Sequence, residues 1–198
     1  MGLELDYSEG QTPLDEDEKE GLQIPTVTTR GELDEFEQLG VEKANEWLLA
    51  RKLSVNKILT EDFVKDLHKR MFNDIWKWAG EFRKTNKNIG VDKFTIGIEL
   101  KNLLDDCNHW IENKVFSEDE IAVRLSHRIV SIHPFANGNG RHSRLMADVL
   151  INKVFGKSYF TWGSQSLVKE GEARRAYLKA LREADNLDYK SLIKFARS

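Results

Sequence analysis

Apolar residues recur at helical spacing along most of the chain. Leu33, Phe36, Val41, Ala44, Leu48 and Leu49 form one stripe, which predicts a helix from near Thr29 to about Arg51. Thr29 followed by Glu32 is a capping box at its start. A second stripe, Phe63, Val64, Leu67, Met71, Phe72, Ile75 and Trp76, predicts a helix that opens near Thr60 and ends before Gly80. The period then breaks. Residues 82–96, FRKTNKNIGVDKFTI, hold two asparagines and a glycine within 86–90, followed by a short alternation, which predicts an irregular segment with a small β-hairpin. Helical spacing returns at 97–114, at 118–132 behind Ser117 and Glu120, from about 139 to Val154, and at 167–184 and 188–197. The fold class read from this pattern is all-α with one small β-hairpin.

The first 27 residues lack a sustained period and are punctuated by Gly10, Pro13, Gly21 and Pro25. They read as an N-terminal acidic arm at 1–27, ahead of a single domain at 28–198. Charge sharpens that division. Residues 1–20 hold eight acids and one base, so a net charge of −3 for the 198-residue chain leaves +4 for the rest. A body this mildly basic suits an anionic ligand and argues against direct nucleic-acid binding. The arm itself reads as a solvated tail. One cysteine, Cys107, excludes a disulfide framework and a cysteine-based zinc site. No apolar run is long enough to span a bilayer, and the polar start does not resemble a secretory signal, so a cytoplasmic location is expected.

The chemistry concentrates in residues 133–144, HPFANGNGRHSR. An apolar helix ends at Ile132, and Pro134 prevents its continuation past His133. Gly138 and Gly140 flank Asn139 and lead directly into the next helix. Glycines admit close approach of an anion, the free N–H groups of the first turn point at it, and the helix dipole favours negative charge. Arg141 and Arg144, three residues apart, project from neighbouring positions and add two guanidinium forks. A di- or triphosphate fits this set, with His133 at its lip as a general base of ordinary pKa near 6.5. Each part also has a plainer reading: GNG as a turn, the arginines as a solvated face, the histidine as structural. Their conjunction within twelve residues is what favours a site. His68 and His109 read as ordinary helix residues, and His127 as a core or loop-steadying group. Tyr177 reads as a core residue that an adenine would also suit.

HPFANGNGRHSR resembles the signature of the Fic-domain family, HPF-x-(D/E)-G-N-G-R-x-x-R, and matches every fixed position except Asn137. The flanking IVSI and RLMADVL are similar to that family too, and the resemblance covers roughly residues 28–196. More narrowly, the whole chain resembles a bacterial subgroup called mobile mystery protein B. The resemblance implies a mainly helical Fic fold with a hairpin flap and a toxin-like protein adenylyltransferase. Such an enzyme transfers AMP from ATP to a Ser, Thr or Tyr hydroxyl of a target protein. It implies His133 as the base, Gly138, Asn139 and Gly140 as a cradle for the α- and β-phosphates, Arg141 on the β-phosphate and Arg144 on the γ-phosphate. It implies Phe135 as the loop's buried anchor, and a flap at about 87–96 that docks the target by strand addition. It also implies Mg²⁺ held at position 137, where Asn137 supplies a neutral oxygen in place of a carboxylate. A recurring neighbour of the subgroup, resembling a helix-turn-helix regulator, is a further expected partner.

Many members of the family carry an inhibitory (S/T)-x-x-x-E-(G/N) helix. Thr28 and Glu32 fit its first part, which makes Glu32 a regulatory candidate; Leu33 breaks the last position, and the capping box explains the same residues. Three rivals stand beside AMP transfer: transfer of another phosphate-bearing group, a nucleotide-binding regulatory module without turnover, and a plain helical scaffold.

Overall fold

The computed structural model describes residues 12–164 and 171–198. Nine α-helices are present among them: α1 (Glu16–Lys19), α2 (Arg30–Leu49), α3 (Val55–Ile58), α4 (Glu61–Phe72), α5 (Ile96–Asn113), α6 (Glu118–Ile132), α7 (Asn139–Lys153), α8 (Glu172–Asp185) and α9 (Lys190–Ala196). The caps fall where the sequence places them. The hydroxyls of Thr29, Thr60 and Ser117 accept the N–H groups of Glu32, Phe63 and Glu120, satisfying donors that the first turn leaves open. The opening residues of the helix expected at 167–184 lie outside the described residues.

The antiparallel-like pair α6 and α7 forms the centre of the core, with α5 and α9 against α6 and α4 against α7. Ile121, Val123, Leu125 and Ile129 of α6 and Met146, Val149 and Leu150 of α7 are buried. Their burial stabilises the fold by about 25 cal/mol per Å² of apolar area. The pairing also brings the end of α6 and the start of α7 together, and the 133–138 loop spans them.

Helix α2 packs on α4. Its buried positions are Leu33, Glu37, Gly40, Ala44 and Leu48, while Phe36 and Leu49 from the expected stripe are exposed. The inward face keeps Leu33, Ala44 and Leu48 but takes Glu37 and Gly40 where Phe36 and Val41 were expected, so it contains a carboxylate. Close approach accounts for Gly40: a Cβ there would lie 2.0 Å from the Met71 carbonyl oxygen, so only glycine allows α2 to sit this near α4.

The expected β-hairpin is not formed. Among the described residues there is no strand, and a single antiparallel bridge joins Leu22 to Trp76. Residues 82–95 satisfy their backbone by other means. The Arg83 guanidinium donates to the carbonyls of His133 (2.7 Å) and Thr85 (2.8 Å) and to that of Val91. Asn86 Oδ1 accepts from Lys93 N–H and Asp92 Oδ1 from Phe94 N–H. Arg83 N–H and Val91 N–H donate to Pro134 and Ile132. Side chains and the α6–α7 junction thus take the groups a two-stranded ladder would have paired.

The segment before α2 is bound to the body from residue 12 onward. Leu14 is buried. Lys87, whose side chain is only 3% exposed, pairs with Asp15 at 2.8 Å and Glu18 at 2.5 Å. Trp78 Nε1–H donates to the Glu18 carbonyl, and Gln23 N–H to that of Ile75. The acidic residues of this stretch are therefore partly spent on a buried cation, where a solvated tail was expected. Residues 1–11 lie outside the described residues.

Candidate nucleotide site

The loop is built by three devices. His133 adopts a left-handed conformation (φ 55, ψ 61), which stops α6 with its N–H bonded to Ile129. Phe135 is fully buried, stacked on His68 with ring centroids 3.7 Å apart and edge-on to His142. The Asn139 amide brackets Phe135, accepting its N–H at 3.0 Å and donating to its carbonyl at 2.8 Å. Gly138 then turns the chain into α7 at φ +76, and a Cβ there would meet Phe72 Cε2 at 2.5 Å. Asn139 acts on the loop through its side chain, so what it can offer an anion is its backbone N–H, one of the first-turn groups without an intrahelical partner.

His68 is a support that the sequence reading passed over as an ordinary helix residue. It is fully buried, and its Nδ1 accepts from Gly80 N–H, which leaves Nε2–H to donate to the Asn137 carbonyl at 3.0 Å. Burial holds its pKa well below the usual histidine range, with a smaller push from His142. A neutral ring of fixed tautomer clamps the loop from behind.

The loop opens on a cleft. His133 lies at one end, beside Thr12 and Ile89. Asn137 to Arg141, Arg144, Arg30, Asp34, Arg174 and Tyr177 line the rest of it. Four arginines and one aspartate line the cleft, so it favours an anion. His133 is 7% exposed. Burial, helped by the charge of Arg83, pushes its pKa down to about 4. The Val130 carbonyl pulls the other way without forming a regular hydrogen bond to Nδ1. At neutral pH the ring is uncharged and able to take a proton. Its Nε2 lies 3.1 Å from Thr12 Oγ1.

Arg141 is held by a buried partner. Its Nη2 lies 2.5 Å from Glu37 Oε2; Glu37 is fully buried, and its Oε1 accepts from Trp76 Nε1–H at 2.8 Å. Arg141 Nη1 is buried with no hydrogen-bond partner among the described residues. A buried guanidinium N–H left unpaired at a cleft wall is suited to an anionic oxygen. Arg144 has no ion pair among the described residues, and its guanidinium lies 5.3 Å from the centre of the Tyr177 ring. Tyr177 is buried as expected and lines the cleft as well.

The remaining candidates are placed as follows. Asn137 Oδ1 accepts from Gly138 N–H at 2.6 Å, and its Nδ2 is buried without a partner. Among the described residues no group of three or more His, Cys, Asp or Glu could hold a metal ion. A neutral amide oxygen already engaged by a backbone N–H does not fit the charged ligand a resident Mg²⁺ would need. Glu32 is exposed and does not line the cleft. Its carboxylate accepts from Thr28 N–H (2.9 Å), Thr29 N–H (3.0 Å) and the Thr28 hydroxyl, and the first two bonds lower its pKa. The α2 acid that meets a motif arginine is Glu37, and it meets Arg141. Glu37, Arg30, Asp34 and Arg174 went unread because nothing in their local sequence separates them from surface charges. Glu37 alone left a trace, as a charge four residues after the apolar Leu33.

The Fic/DOC family model matches residues 58–151, which include α4 to α6 and the whole loop. A protein adenylyltransferase Fic of Aedes aegypti is 24% identical over 168 residues, covering 82% of this chain and 32% of its own length. The chain thus spans about a third of that relative. The structure of Fic-1 (residues 134–508) from C. elegans superposes with a TM-score of 0.66 at 22% identity, over 90% of this chain and 51% of that one. BepC of Bartonella tribocorum, solved with bound AMPPNP, superposes with a TM-score of 0.67 at 18% identity, over 92% and 97%. Among the described residues no helix is long and apolar enough to cross a membrane. With its HPFANGNGRHSR loop seated between α6 and α7, the 58–151 segment matches the Fic/DOC family model, and the mainly helical fold is that of the Fic structures.

Proposed function

We propose that the chain is a protein adenylyltransferase, transferring AMP from ATP to a protein hydroxyl. The observation that carries this reading is a neutral, buried His133 opening on the same cleft as the α7 N-terminus, Arg141 and Arg144. In the reaction the hydroxyl oxygen forms a bond to the α-phosphorus, and the bond from that phosphorus to the pyrophosphate oxygen breaks. His133 Nε2 takes the hydroxyl proton. The N–H groups of the α7 first turn and the two arginines stabilise the charge on the phosphates. Glu37 holds Arg141 through Nη2, which leaves Nη1 free of a protein partner among the described residues for a phosphate oxygen. The binding of AMPPNP by BepC and the names of the adenylyltransferase relatives support the reading. No step is routed through a metal, because the donor set lacks a carboxylate at position 137.

The target docks beside the flap, where Ile89 and Phe94 are exposed. Docking uses side chains as well as any strand addition, since backbone groups of Arg83, Thr85, Val91, Lys93 and Phe94 are already engaged within the protein. A second reading, a nucleotide-binding module without turnover, is favoured by the engaged amide of Asn137. Two measurements separate them. AMPPNP at 100 times its Kd stabilises either one by about 2.7 kcal/mol. Incubation with Mg²⁺ and ATP adds the mass of AMP to the chain or to a co-purified protein only if transfer occurs, and His133→Asn abolishes that addition. A different added mass would identify another transferred group, and absence of thermal stabilisation would leave a helical scaffold.

A further inference from the structure

A hydroxyl of the chain itself already occupies the position an attacking hydroxyl needs. Thr12 Oγ1 lies 3.1 Å from His133 Nε2, inside the range for proton transfer to a general base. Thr12 is 7% exposed and lines the same cleft as Gly138, Arg141 and Arg144. The neighbouring backbone is clamped. The Pro13 carbonyl accepts from Lys87 Nζ at 3.3 Å, Leu14 is buried, Asp15 accepts from the Thr85 hydroxyl as well as from Lys87, and Glu18 pairs with Lys87. A peptide held this way has lost its translational freedom before ATP arrives, the condition that raises effective molarity.

We propose that Thr12 is an acceptor of AMP, so that the chain modifies its own arm. The inference rests on the adenylyl-transfer reading and adds to it the first acceptor residue. The Thr12 oxygen forms the bond to the α-phosphorus of ATP, pyrophosphate leaves with its bonding electron pair, and the hydroxyl proton goes to His133 Nε2. The products are a phosphodiester at Thr12 and pyrophosphate. The hydrogen bond by itself fits a second role, a plug that keeps other hydroxyls from the base, and the test separates the two.

The full chain is incubated with Mg²⁺ and ATP, pyrophosphate release is followed, and the adduct is located by peptide fragmentation. The parent, T12S, T12V and H133N are compared, with thermal melting as the check of folding. The expected result is AMP at position 12 in the parent and in T12S, loss of that adduct in T12V, and none in H133N. AMP on another residue with position 12 unmodified would overturn the acceptor role while leaving adenylyl transfer standing. So would an inactive parent together with pyrophosphate release or a new adduct in T12V, which would make Thr12 a plug. Absence of adduct and of pyrophosphate release in all four would overturn the acceptor role while leaving adenylyl transfer to a separate target standing.

Discussion

The burial that makes His133 a usable base has a stability consequence that can be measured without any substrate. The ring has a pKa of about 4 in the folded chain against 6.5 when solvated. A group whose folded pKa is depressed contributes fully above the unfolded value, and that contribution is lost as pH falls towards the folded one. The unfolded chain gains the proton first, so stability falls between pH 6.5 and pH 4. Taking those two values, the loss between pH 7 and pH 5 is about 2 kcal/mol from this one side chain. His133→Asn removes the titration, and asparagine tolerates the left-handed backbone that position 133 requires. The assay is urea unfolding followed by tryptophan fluorescence, at pH 7 and pH 5, for parent and variant. The parent is expected to lose about 2 kcal/mol more than H133N over that interval. His142, also pushed down to about 4, and Asp148, pushed up to about 7 by burial, titrate in both chains and cancel in the difference. Equal losses in the two chains would refute the argument, because His133 would then be hydrated and Thr12 could not be covering it. The same neutrality predicts that any transfer activity keeps its base form down to about pH 5.

Three further outcomes follow from the site. Glu37→Ala strands the Arg141 guanidinium and the Trp76 indole N–H, and breaking a buried pair costs about 3–5 kcal/mol; E37Q, which keeps an acceptor for Trp76, should cost less, and denaturant midpoints give the order. Gly138→Ala forces a Cβ against the Phe72 ring at φ +76, so the AMPPNP-induced rise in melting temperature should vanish even in the folded fraction, as measured by calorimetry. His68→Leu removes the bond to the Asn137 carbonyl and leaves the Gly80 N–H unpaired, for a cost of about 1–3 kcal/mol each. It should also weaken AMPPNP binding without touching the ligand, and an unchanged Kd would show that the loop does not depend on this clamp.

Local signals in the chain were sufficient for much of this protein. The caps at Thr29, Thr60 and Ser117, the break at His133–Pro134, the glycine-to-helix junction and most helix positions depend on neighbours within four residues, and they stand in the structure within a few residues of where the pattern puts them; the exception is α4, which stops at Phe72 although the apolar pattern runs on to Ile75 and Trp76. The HPFANGNGRHSR loop is legible for the same reason: its anchor, its turn and its arginines lie in twelve consecutive positions. Other features come from residues far apart. A stretch with hairpin composition forms no strand because Arg83 reaches the carbonyls at the α6–α7 junction. The buried face of α2 takes in Gly40, which lets Met71 approach, and Glu37, which meets Arg141. His68 clamps a loop 69 residues away. Thr12 meets His133 across 121 residues. Local sequence determines which segments are helices and where an anion can bind, since those rest on short-range hydrogen bonds and dipoles. Which charge is neutralised, which histidine stays neutral and which hydroxyl reaches the base are decided by desolvation and by long-range contact, and those exist only once the helices have packed.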